Sequence, residues 1–228
     1  MRKYYFSIIS ILFLIIGFAS CSDEKTKTQN EKVSRPSVPI LASERQIGNN
    51  IWMIRNLNVN YYRNGDPILQ VTNPTQWANL TTGAWCYYNS DPANGAIYGK
   101  IYNWYAVHDP RGLAPQGYHI PSDLEWVFLT NSLGDIAIAG GKMKEVGIAH
   151  WKSPNTGATN NSGFTGVPGG GRGLDGTFSN LKYYGVWWTS SESDSFSARI
   201  RHLYYESIYC VEGSYPKHFG LSVRCVKD

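Results

Sequence analysis

Hydrophobic and polar positions alternate at Leu57, Val59 and Tyr61 against Asn56, Asn58 and Asn60, and again at Leu221, Val223 and Cys225 against Ser222 and Arg224. That period of two predicts strands with one buried face. Tyr184 to Thr189 and Phe196 to Leu203 are aromatic or β-branched runs bounded by Gly, Ser and Asp, which also predict strands. Two segments carry the longer helical period. One begins at Ser122, which stands at capping-box spacing from Glu125, continues through Leu124, Val127, Phe128 and Leu133 as its apolar stripe, and stops at Gly134. The other runs from Tyr98 to about His108, with Ile101, Trp104, Tyr105 and His108 on one face. Helices early and strands late predict an α+β domain rather than alternating βαβ units. Thr156 to Asn180 is dominated by Gly, Asn, Ser and Thr and keeps neither period, which predicts a long functional or mobile loop.

The N-terminus divides the chain. Arg2 and Lys3 precede an apolar stretch of 16 residues, Tyr4 to Ala19, and then Ser20 and Cys21. This is the order of a secretory signal, and the stretch falls short of the roughly 20 residues that span a bilayer. Phe18, Ala19, Ser20 and Cys21 resemble a lipobox, so residues 1–20 are expected to be a signal peptide and Cys21 the site of lipid attachment. Ser22, Asp23 and Glu24 resemble the export tag of Bacteroidetes surface lipoproteins, which implies the outer membrane and display at the cell surface. Residues 21–45 are polar, contain Pro36 and Pro39, and lack aromatic side chains, so they are expected to form a flexible tether. Residues 46–228 remain as one domain.

The formal net charge is +4, and without Arg2 and Lys3 the balance is 19 Lys and Arg against 17 Asp and Glu. No basic patch stands out, so a nucleic-acid partner is not expected. Cys86, Cys210 and Cys225 allow one bridge and one thiol in an oxidising compartment. Cys210 and Cys225 flank a turn-like stretch and form the candidate disulfide, although spacing does not fix the pairing.

Candidate chemistry is sparse. Gly171, Gly173 and Gly176 satisfy G-x-G-x-x-G but lack a strand before and a helix after, so they read as tight turns rather than a dinucleotide site. Asn89, Asp91 and Asn94 offer the oxygen donors that Ca²⁺ takes, but not at EF-hand spacing. An Asx-rich turn is the stronger reading, and no cofactor is expected. The histidines at 108, 119, 150, 202 and 218 form no metal-ligand pair, and no nucleophile is placed beside one locally, so neither a metal centre nor an enzyme is expected. Trp187 and Trp188 are adjacent, and in a strand they must point to opposite faces. With a one-sided core, one of them is left for a loop, a surface or a ligand. Trp187, Trp188, Asn89 and Asp91 are therefore the candidate ligand-binding residues.

Seven phrases in order carry a resemblance. They are Ile47-Gly48-Asn49 with Ile51-Trp52-Met53; Trp85 to Asn89; Tyr98-Gly99 with Tyr102 to Val107; and Gly117 to Trp126. Gly163-Phe164 with Pro168 to Gly170, then Trp187 to Glu192, and finally Leu221 to Asp228 complete the set. Together they resemble the Fibrobacter succinogenes major paralogous domain over residues 46–228. His119 to Trp126 and the closing Arg224-Cys225 further resemble the formylglycine-generating branch of the C-type lectin-like fold. That resemblance implies two helices around a twisted antiparallel sheet with a long irregular loop. The branch's copper-binding cysteine pair and the lectins' Ca²⁺ motifs have no counterpart here. The resulting expectation is a surface-displayed, non-catalytic binding or adhesion module, anchored to the membrane by lipid, for a glycan or a surface protein. An oxidase-like enzyme or a structural envelope component are the alternatives.

Overall fold

The computed structural model describes residues 43–228. The expected signal peptide, Cys21 and nearly all of the expected tether lie outside the described residues. Chain order begins with β1 (Glu44–Ile47), β2 (Asn50–Met53) and β3 (Leu69–Gln70), then α1 (Pro74–Ala78), β4 (Ala84–Cys86) and α2 (Pro92–Tyr98). β5 (Ile101–Tyr102), α3 (Trp104–Val107), β6 (Tyr118–His119), α4 (Asp123–Ser132) and α5 (Ile136–Met143) follow. The C-terminal part holds β7 (Gly171–Arg172), β8 (Phe178–Ser179), β9 (Tyr184–Glu192), β10 (Ser197–Tyr204), β11 (Cys210–Pro216) and β12 (Val226–Lys227).

These strands form four small sheets, in the orders β1-β2-β12-β6, β11-β10-β9, β3-β4-β5 and β7-β8. Strands and helices share one domain, but the expected lectin-like plan of two helices around one twisted antiparallel sheet is not what the chain adopts. The physical reason lies in how the backbone is satisfied. Most strands end after two to four residues, and buried cations take up loop carbonyls that a continuous ladder would otherwise pair. Arg224 donates to the carbonyls of Met53 (2.9 Å) and Phe164 (2.6 Å), and Lys144 to those of Thr156 (2.8 Å), Tyr204 (3.1 Å) and Ser207 (2.8 Å). Both side chains are fully buried.

The sheet of β9, β10 and β11 is the centre of the molecule, and each of its faces carries a core. On one face Val186, Trp188 and Ile200 pack with Trp85, Tyr102, Trp104 and Val223. On the other, Trp187, Leu203 and Cys210 pack with Trp52, Trp126, Trp151 and Phe164. Trp126 stands 5.0 Å from Trp52 and 5.7 Å from Phe164 between ring centroids. The adjacent tryptophans do point to opposite faces, but neither is left over: both are completely buried.

The helix beginning at Ser122 forms with both halves of its capping box, but its predicted stripe is on the wrong side. Leu124 and Phe128 are exposed, while Trp126 and Leu129 face the core. The helix predicted from Tyr98 to His108 is instead β5 followed by one turn, α3. Asn103 explains the break, because its Oδ1 accepts from Ala84 N (2.9 Å) and Ala106 N (3.1 Å), joining a strand edge to a helix cap. Leu57 to Tyr61 and Leu221 to Cys225 are mostly extended chain rather than ladder strands. In the latter segment Ser222 and Arg224 are buried as well as the apolar positions, so the alternation does not mark one wet face.

Candidate functional site

On a strand, side chains two apart share a face, so Tyr184, Val186 and Trp188 of β9 project together. Register carries that face across the sheet: Tyr204 lies opposite Tyr184, and His202 lies between Val186 and Val211. The core seals Trp188 and Ile200, but the face opens at His202. There Tyr184, His202, Tyr215 and Phe219 meet Gly170, Gly171, Ser179 and Asn180 of the glycine-rich loop around a cleft of about 280 Å³.

The rings of Tyr184, His202, Tyr215 and Phe219 that line it are only half-buried. Tyr184 stacks on Tyr204 at 4.6 Å and 27°, and meets the His202 ring edge-on at 5.7 Å. Tyr215 and Phe219 form a second pair at 5.0 Å. Burial, with a smaller contribution from Tyr184, pushes the Tyr215 hydroxyl above its ordinary range. Burial also holds the His202 imidazole below its ordinary 6.5. The Nδ1 of His202 is buried with no hydrogen-bond partner. Beneath the cleft, the fully buried Arg172 donates Nε to Gly176 O (2.8 Å), Nη1 to Val71 O (2.7 Å) and Nη2 to Thr72 O (2.8 Å). It sits between Trp77 and Phe178, so its charge fastens the loop to the domain.

The residues singled out from sequence lie elsewhere. Trp187 and Trp188 are core residues on either side of β9, and their indole N–H groups donate to Asn56 Oδ1 and Tyr102 O, both inside the protein. Asn89 and Asp91 are in an exposed turn, where Asp91 Oδ1 accepts from Ala93 N (2.9 Å) as the cap of α2 and Asn94 Nδ2 donates to Tyr88 O (3.0 Å). This is the self-bonded Asx turn. Among the described residues no group of three or more His, Cys, Asp or Glu side chains could hold a metal ion. Cys210 and Cys225 are not bridged: both are buried free thiols, in the cores on opposite faces of the central sheet, as is Cys86 in a third cluster. The glycines of G-x-G-x-x-G form the β7–β8 hairpin, where Gly176 has φ +77° and stands too close to Pro74 for a side chain. Tyr184, His202, Tyr215 and Phe219 were missed individually. The signal that could have found them is the strand parity linking Tyr184 to His202 once β9 and β10 are paired.

A larger cavity, about 330 Å³, is lined by Asn56, Asn58, Glu145 and His150, with Glu145 Oε2 2.8 Å from His150 Nδ1. No Tyr, Trp or Phe lines it, so it offers no stacking platform.

Residues 46–227 match the Fibrobacter succinogenes major domain (Fib_succ_major). The chain belongs to that family. Nearly the whole described domain is therefore one Fibrobacter succinogenes major domain, and the family suggests a surface or envelope protein. No curated protein and no solved structure matches the chain.

Proposed function

We propose that the chain is a non-catalytic binding module, carried on a lipid at Cys21 at the outer-membrane surface, which takes a glycan or a surface protein into the aromatic cleft. The observation that carries the reading is the cleft itself: four half-exposed rings around a concave site, with the exposed polar side chains of Ser179 and Asn180 beside them. Concave sites that combine aromatic side chains with a small number of placed polar groups are where proteins take ligands. Aromatic rings supply contact area at low entropic cost.

Two experiments test it. Binding of the full chain to isolated envelope polysaccharides and purified surface proteins should fall about tenfold or more in Tyr184→Ala and Phe219→Ala. It should be unchanged in Leu174→Ala, an exposed hairpin residue outside the cleft. Binding that ignores both cleft changes overturns the reading. Protease shaving of intact cells should remove the wild-type domain from the surface, and Cys21→Ser should abolish that display. A protected wild-type domain overturns the surface placement.

A further inference from the structure

The geometry points to an uncharged saccharide as the ligand of this cleft, with a ring face against Tyr184 or Tyr215 and a hydroxyl at the edge of the His202 imidazole that lines it. The inference rests on the cleft being the binding site and adds the class of guest. Charge comes first. Among the residues lining the cleft only Arg172 is charged, and its Nε, Nη1 and Nη2 already serve three backbone carbonyls inside the protein. Burial disfavours the charged form of the His202 ring. A carboxylate, phosphate or sulfate would leave water for a wall that offers no countercharge, and such a transfer is unfavourable.

The polar lining excludes the opposite extreme. A wholly apolar guest would take the exposed Ser179 and Asn180 side chains and the edge of the His202 ring out of water without giving them partners. A sugar hydroxyl both donates and accepts, so it satisfies either tautomer of the ring. Its C–H face suits the ring faces of the cleft, whose pairs are stacked, tilted or edge-on. At about 280 Å³ the cleft is just below the roughly 300–1,000 Å³ of ordinary ligand sites, which suits the end of a sugar chain.

The test is affinity electrophoresis of the full chain through gels containing galactomannan, β-glucan or xylan as neutral probes and polygalacturonate or heparin as charged ones. Retardation by at least one neutral polymer is expected. Association should weaken about tenfold in His202→Phe, which removes the nitrogen, and far less in His202→Gln, which keeps a polar group there. Raising salt from about 0.05 to about 0.5 M should leave it nearly unchanged, because screening acts on charges. Tighter, salt-sensitive binding of the charged polymers, lost in Tyr184→Ala, would overturn the uncharged guest and keep the cleft. Neutral binding indifferent to both Tyr184→Ala and the His202 variants would overturn the cleft as well. If no polymer binds while a surface protein does so through Tyr184, the saccharide is wrong and the module stands.

Discussion

His119 is held between two carboxylates, with Nε2 2.7 Å from Glu125 Oε1 and Nδ1 2.9 Å from Asp228 Oδ1, and so ties the C-terminal residue to the first turn of α4. Burial works against the charged ring, but Glu125 and Asp228 outweigh it and hold its pKa above 6.5. Burial likewise opposes the Glu125 carboxylate, yet His119 and Ser122 hold it below its ordinary value. The signs follow from linkage. The raised His119 contributes its full stability below the unfolded pKa and loses it as pH rises through the folded one; the depressed Glu125 contributes above its unfolded pKa and loses it as pH falls through the folded one. Urea midpoints should therefore decline from about pH 6 to about pH 8, and His119→Gln should flatten that decline. The ring is 40% exposed, so the effect is modest, and an unchanged slope in the variant would show the clamp contributes nothing. At this scale sequence reading succeeds where chemistry is local and fails where it depends on neighbours. The Asp91 turn is fixed by adjacent backbone, whereas the burial of Trp187 and Trp188 and the separation of Cys210 from Cys225 depend on what covers each face of β9 and β11.

Among the elements, α4 shows how far a pattern reaches. Ser122 and Glu125 bond reciprocally, with Glu125 Oε2 accepting from Ser122 N at 2.8 Å, and this start was legible because it needs only four consecutive residues. Which side is buried was not, because α4 carries apolar residues on several sides and its packing against β9, β10 and α5 selects Trp126 and Leu129. α5 was missed for a related reason. Its centre holds Gly140 and Gly141, which read as helix breakers, yet a Cβ on Gly140 would stand 2.1 Å from Tyr209 O. The glycine is there because the helix lies directly on the chain entering β11. Gly140→Ala should therefore destabilise the protein by about 1–3 kcal/mol, although alanine favours helix. A urea titration showing equal or greater stability would mean that the helix can lift from β11 without cost.

For the molecule as a whole, the decisive arrangement is a three-stranded sheet with a core packed on each face, and β9 contributes one indole to each core. The family was legible from sequence because its seven phrases keep their order; the architecture was not, because short phrases do not reveal that buried cations replace strand pairing or that the sheet carries a core on each face. That pair of cores has a thermodynamic consequence. Both cores require β9, so neither can form without ordering the strand that the other needs, and loss of either should unfold the whole. Trp187→Ala and Trp188→Ala should each lower stability by about 3–5 kcal/mol, with Trp187→Ala also leaving Asn56 Oδ1 without one of its donors. All eight tryptophans are buried and are distributed among the three clusters, so their fluorescence reports every core at once. In urea the fluorescence and far-UV circular dichroism transitions should coincide, for the wild type and for both variants, as a single two-state step. Separate transitions, or a Trp187→Ala protein that keeps the Trp188 core folded, would show that β9 does not couple the two faces.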